Sequence, residues 1–158
     1  MAEIRLEIKA GAVIGQITSL QGKLLAPNPL MAGIAAELLS MTEKAFAKEG
    51  YPDKWQSLAQ STIKQRTKKG HWPGKMLQVS AGGLAASVQP FSSSHQAGIS
   101  VSKPYAAIHQ FGGKAGKGRK STIPARPYLP MRKQGSDLEL TPQATESILR
   151  LTRHFFGS

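Results

Sequence analysis

The 158-residue sequence contains no cysteine. Disulfide frameworks, thiolate nucleophiles and cysteine-ligated zinc are therefore excluded, and stability has to come from packing. Acidic residues are also missing between Asp53 and Asp137, a stretch that carries fourteen basic ones, while the rest of the chain holds seven bases against nine acids. The net charge of +12 at pH 7 thus sits in one contiguous half. A field of one sign attracts polyanions or acidic protein surfaces and repels like copies, so it speaks to partners rather than to fold. No apolar run approaches the ~20 residues needed to span a bilayer, and no long basic amphipathic helix points to a lipid surface. No membrane partner is expected. Residues 1–10 alternate charged and apolar side chains and lack the basic start and apolar core of a secretion signal, so the expected site of synthesis is the cytoplasm.

The usual signatures of catalysis and metal binding fail one by one. A phosphate loop needs a glycine five positions before Gly116-Lys117 and a Ser or Thr after it, but Phe111 and Gly118 stand there. The four histidines, His71, His95, His109 and His154, lack the i, i+4 spacing of a helical metal pair. Ser92, Ser93, Ser94 and His95 bring hydroxyls beside an imidazole, yet neighbours along a strand point to opposite faces and no nucleophile elbow surrounds them. Carboxylates for acid and base work have to come from outside residues 54–136, where Glu37, Glu43 and Glu49 read as the wet face of a helix. The expectation is a protein that is not an enzyme, with no catalytic residue, cofactor, metal or small-molecule substrate.

What is present reads as one domain, 1–158, large enough for one core. Ile4, Leu6 and Ile8 alternate with charged residues and predict a strand. Val13, Ile17, Leu20 and Leu24 then recur at helical spacing, placing a striped helix at 12–25 that Pro27 ends. Asn28-Pro29 is a helix start, because Asn accepts free first-turn amides and Pro has none to leave unpaired. Leu30, Ile34, Leu38, Met41 and Ala45, with Met31, Ala35, Leu39 and Phe46 beside them, form a wide core face that Gly50 stops. A short helical piece is predicted at 62–67. Leu84, Ala86 and Val88 and then Ala97, Ile99 and Val101 alternate about a polar turn at 92–96, as in a hairpin. Pro104 opens another short helix with Tyr105, Ile108 and Phe111 on one side. Residues 114–121 are Gly, Lys and Arg with one Ala and a final Ser, with nothing to bury, and predict a mobile basic loop. Thr141-Pro142 starts a last helix striped by Ala144, Ile148, Leu151 and Phe155. The sum is an α+β fold: a small antiparallel sheet of three to four strands packed against two longer helices and a C-terminal helix.

Two side chains invite a functional reading and favour a structural one. His109, ending a short helix beside Gln110 and Gly112, is expected to satisfy local backbone groups. Trp55 is expected to pack between elements.

An ordered set of short motifs runs through this frame: Trp55-x-x-Leu58; Ser61-Thr62-Ile63 and Arg66; Leu77; Gly82-x-Leu84 and Ser87; Tyr105-Ala106-x-Ile108-His109-Gln110-Phe111-Gly112-Gly113; and Ile123-Pro124-Ala125-Arg126-Pro127-Tyr128-Leu129. This order resembles the phage virion morphogenesis family, which holds the tail completion proteins of Mu-like and P2-like bacteriophages. The resemblance covers roughly residues 30–155. One departure is visible: Ala81 stands where the family usually has Ser or Thr, and Ser80 lies one position back. The resemblance implies a non-enzymatic structural protein of the virion neck or tail, made in the host cytoplasm, that completes the tail for joining to a DNA-filled head. It implies other copies of the chain as partners in a ring, often hexameric, together with neck and tail proteins and the genomic DNA passing through the channel. A closed ring requires a head-to-tail interface. Lys114, Lys117, Arg119 and Lys120, bracketed by Gly112-Gly113 and the Pro124 to Pro127 segment, are the expected assembly or DNA-facing group. The alternative is a free nucleic-acid-binding protein, in which Trp72, Tyr105 and Phe111 stack on bases.

Overall fold

A computed structural model describes residues 10–157; the strand predicted at residues 4–8 lies outside them. Among the described residues five α-helices and three antiparallel ribbons follow in the order α1 (Ala10–Leu25), α2 (Asn28–Lys48), α3 (Gln60–Lys68), β1 (Val88–Ser92), β2 (Ala97–Val101), α4 (Ala106–Phe111), β3 (Gly113–Ala115), β4 (Ser121–Ile123), β5 (Met131–Gln134), β6 (Asp137–Leu140) and α5 (Pro142–Gly157). The α+β class expected from the sequence holds. Among the described residues its strands are distributed over the pairs β1-β2, β3-β4 and β5-β6.

Helix α2 is the spine. It packs on the β1-β2 ribbon and on α5, and its buried residues are Leu30, Ala35, Leu38, Thr42, Ala45 and Phe46. Thr42 sits inside the apolar face because its hydroxyl donates to the Leu38 carbonyl one turn back, 3.0 Å away, leaving only its methyl to pack. Close approach to α5 runs past Gly33, where an added Cβ lies 3.4 Å from the Leu151 side chain. The helix ends as its sequence suggests. Glu49 adopts the left-handed conformation, and Gly50, at φ +118°, turns the chain so tightly that a Cβ there falls 2.2 Å from the Asp53 carbonyl oxygen. The Gly50 amide returns to the Ala45 carbonyl, and the Trp55 amide to that of Glu49, both at 2.8 Å.

That turn delivers Trp55 into the main core with Ala45, Phe46, Leu84, Val88 and Tyr128. Phe46 is central: its ring meets Trp55 edge-on at 5.8 Å and Tyr128 tilted at 5.2 Å. In the ribbon above, Pro90 pairs with Ile99 and Phe91 with Gly98, whose missing side chain leaves room for the Phe91 ring. Ser93, Ser94 and His95 form the polar turn. The Ser93 hydroxyl accepts the His95 and Gln96 amides, and Ser94 Oγ is hydrogen-bonded to His95 Nδ1 at 2.6 Å.

Helix α5 begins at the predicted place, with Thr141 Oγ1 accepting the Ala144 amide at 3.3 Å. Thr141→Ala is expected to cost about 0.5–2 kcal/mol of stability through loss of this cap, read in a denaturant melt. Two expectations need correcting. The strand read at Leu84, Ala86 and Val88 begins only at Val88, because Ala85–Ser87 form a helical turn; the α1 stripe is a helix face on which Ile17, Leu20 and Leu24 are exposed and Lys23 stacks over the Phe155 ring at 5.9 Å. Glu37 and Glu49 are not simply wet: each is half-buried, Glu37 accepts the Ser147 hydroxyl of α5, and Glu49 accepts the Met76 amide at 2.6 Å. Both carboxylates tie distant segments to the spine, where a bare amide or hydroxyl needs an acceptor.

Candidate functional site

The basic group stands on a small hairpin. Strands β3 and β4 pair Gly113 with Ile123, Lys114 with Thr122 and Ala115 with Ser121. A single helical turn at Lys117–Arg119 closes the tip, with Gly116, Gly118 and Arg119 at positive φ. Where an irregular loop was expected, the glycines supply the left-handed geometry that lets the chain fold back on itself. Lys114, Lys117, Arg119 and Lys120 are all exposed. None forms an ion pair with a carboxylate among the described residues.

The base of this hairpin is buried and heavily bonded. Gln110, 2% exposed, ends α4 and works as a clamp. Its carbonyl oxygen accepts the amides of Tyr128 and Leu129 at 3.0 and 2.9 Å, and its amide nitrogen donates to the carbonyls of Leu129 and Met131 at 3.4 and 3.1 Å. Trp55 Nε1 donates to the Pro127 carbonyl at 2.7 Å, and Tyr128 Oη to the Ala106 carbonyl at 3.1 Å. Burial pushes the Tyr128 phenol up to about 12, so it remains a donor at any physiological pH. The Arg126 amide closes onto the His109 carbonyl at 2.7 Å. Gly112, at φ +72°, passes so close to the exit strand that a Cβ would stand 2.8 Å from the Ala125 nitrogen. These bonds fix the residues on both sides of the hairpin, 108–113 and 123–131, against the core.

Arg126 is the unusual member. It is 6% exposed, and its guanidinium donates through Nε to the Gln56 carbonyl at 3.1 Å and through Nη2 to that of Ser57 at 3.2 Å. No carboxylate pairs with it among the described residues. Desolvation and then the Arg66 charge weaken its hold on its proton. Arg66 itself donates to the Lys75 carbonyl at 3.0 Å. His109 departs from the sequence expectation, for its Nδ1 is buried and meets no hydrogen-bond partner among the described residues. Its ring instead packs edge-on against Tyr105 at 5.9 Å.

His109 resists protonation, first because burial disfavours the imidazolium and then because Arg126 repels it, so its pKa falls below the ordinary 6.5. The unfolded chain takes up this proton more readily than the fold does. The contribution of His109 is therefore fully present above the unfolded value and is lost as pH falls from about 6.5 through the lowered native value. Denaturant melts between about pH 8 and pH 5 are expected to show this loss, and His109→Gln is expected to flatten that part of the profile.

The other residues singled out in the sequence divide between core and surface. Leu84 is buried, and the Ser80 carbonyl accepts the Gly83 amide at 3.0 Å, so the turn before Leu84 closes with Ala81 in place. Thr62 and Pro124 are half-buried, and Gly82 and Pro127 are exposed. Gly113, at φ +148°, starts β3. Tyr105 and Phe111 are exposed by 42% and 41%, and Trp72 by 38%, so all three lie at the surface. Sequence reasoning missed the role of Gln110 because its partners lie 18 to 21 residues away.

This is an α+β scaffold that presents a cationic hairpin from a rigid base, with no cluster of metal-ligating side chains among the described residues. Membership follows from the comparison of sequences: the chain belongs to the phage virion morphogenesis family, which matches it over residues 9–156. It is 38% identical over 128 residues to the Mu-like prophage FluMu G protein 2 of Haemophilus influenzae, covering 81% of this chain and 77% of that protein. It is 39% identical over 106 residues to the "Putative capsid assembly protein G" of Escherichia phage Mu, covering 65% of this chain and 67% of that one. No solved structure gives a significant match. The protein therefore has a role in building a phage virion.

Proposed function

We propose that this protein completes the phage tail and mediates its joining to the head, as a non-enzymatic neck component arranged in a ring around the DNA passage. The observation that carries the reading is the cationic hairpin: four exposed bases on an arm whose two ends are bonded into the core. In a ring built by head-to-tail contacts, such an arm reaches either the next copy or the lumen. A lumen positive enough to hold the duplex tightly hinders genome exit, so the arm's chief contact is an acidic protein surface, with DNA as a neighbour. Charge complementarity of this kind sets register and association rate more than affinity. Multi-angle light scattering and negative-stain images of the protein, alone and on tails, test the ring. Closed oligomers are expected; a strict monomer under all conditions, with no assembly on a tail, contradicts the proposal.

A second reading, a free nucleic-acid-binding protein, draws on the exposed rings of Trp72, Tyr105 and Phe111 near the basic surface. Tight duplex binding at physiological salt that weakens steeply as salt rises favours it. Weak binding that vanishes near physiological salt is the expected result, because any strongly basic protein shows that much.

A further inference from the structure

Arg66, Arg126 and His109 are three nitrogen-bearing groups with which no carboxylate pairs among the described residues. Arg66 and His109 line one recess of about 210 Å³ with Ser80, Leu77, Leu84 and Tyr105. Arg126 adjoins it, its amide bonded to the His109 carbonyl at 2.7 Å, and its charge disfavours the His109 imidazolium as that of Arg66 disfavours its own protonated form. Uncompensated buried cations are costly, and removing a partner from such a charge is among the more destabilising changes a protein suffers. Here the partner is missing from the described residues: Arg126 donates from Nε and Nη2 to backbone carbonyls and to no carboxylate, and the buried Nδ1 of His109 has no hydrogen-bond partner.

We propose that this recess, between α3, the turn before Leu84 and α4, receives a carboxylate side chain from an acidic partner protein. The ligand class follows from the walls. Leu77, Val79, Leu84 and Tyr105 line the recess together with the cationic Arg66 and with His109. A Glu or Asp brings methylene groups to such a mixed lining and its charge to Arg66, and the guanidinium group is shaped for a carboxylate. A phosphodiester instead carries a sugar on each side of its charge, which a recess of about 210 Å³ does not accommodate. The proposal rests on the reading that acidic protein surfaces are this chain's partners, and it adds the place where one acidic residue inserts.

A negative charge in the recess favours the imidazolium form of His109 against the effects of burial and of Arg126. Binding therefore raises the titration midpoint of His109, and affinity increases as pH falls through it. The charged groups around the imidazole are Arg66 from α3 and Arg126 from the exit segment, and Ser80 from the turn and Tyr105 immediately before α4 share the recess with it.

The test is a histidine ring-proton titration by NMR on the full chain, in N-acetyl-glutamate amide against chloride at equal ionic strength. The expected result is an upward shift of the His109 midpoint alone, with His71, His95 and His154 unmoved. Arg66→Gln is expected to abolish the shift. Because that change also removes the bond to the Lys75 carbonyl, Ser80→Asp serves as the second variant: its carboxylate fills the recess from within, raises the His109 midpoint without added ligand and removes the response to glutamate amide. No shift, or equal shifts of all four histidines, overturns the proposal. A response to a dinucleotide phosphodiester but not to glutamate amide overturns the carboxylate assignment in favour of nucleic acid. If the glutamate response is absent while the protein still forms rings on tails, the recess assignment alone has failed. If it is present and no ring or tail assembly occurs, the recess stands and the tail-completion reading has failed.

Discussion

Phe46→Ala is expected to lower the free energy of unfolding by about 3–5 kcal/mol, measured in a urea melt. Phe46 is 4% exposed at the point where α2, the Gly50 turn and the 124–131 segment converge. Truncating it removes the ring that Trp55 meets edge-on and Tyr128 meets at a tilt, so the loss includes aromatic pair energy as well as buried area. Neither neighbour is free to collapse into the gap, because Trp55 is bonded to the Pro127 carbonyl and Tyr128 to that of Ala106. A cavity that cannot relax is the expensive kind. In a domain with a net stability of only about 5–15 kcal/mol, that is a large share. Phe46→Leu, which refills most of the volume, is expected to cost much less; equal costs for the two variants argue against a rigid aromatic cluster.

Gln110→Leu is the second large effect, expected at about 2–6 kcal/mol, because it strands two buried backbone donors at about 1–3 kcal/mol each. The shape of the side chain is nearly kept, so packing loss is a minor part. The amides of Tyr128 and Leu129 lose their shared acceptor, and the carbonyls of Leu129 and Met131 lose their donor. Hydrogen exchange separates this from a general loss of stability: the Tyr128 and Leu129 amides are expected to exchange faster under conditions where α2 stays protected. Unchanged exchange there, with a small stability loss, contradicts the role of Gln110 as the clamp of the hairpin base.

The elements whose rules are local were readable in the sequence. Asn28-Pro29 and Thr141-Pro142 start helices and Gly50 ends one, since caps depend on a few adjacent residues. Even there the mechanism differs in one case: no side-chain cap bond forms at the start of α2, so the fixed φ of Pro29 carries that signal alone. The α1 stripe was readable as a helix but not as exposed, because periodicity fixes the face and says nothing of what lies opposite. Hairpin β3-β4 escaped the pattern for another reason. Its strands are only three residues each, Gly-Lys-Ala and Ser-Thr-Ile, and their pairing is imposed by ends joined through the Arg126 amide and the His109 carbonyl rather than by alternating side chains. Of the candidate site, the four surface bases were visible as composition, while the Gln110 clamp and the cluster of Arg66, His109 and Arg126 are long-range products of the fold.

The central claim is that the hairpin charges serve assembly and not folding. Its most direct test is replacement of Lys114, Lys117, Arg119 and Lys120 together by Ser, followed by a thermal melt and a tail-completion complementation assay on the same protein. Exposed charges that pair with no carboxylate contribute little to the folded state, so the melting temperature is expected to stay close to that of the parent while completed, joinable tails are lost. A variant that completes tails as well as the parent, or one that melts many degrees lower, contradicts the account.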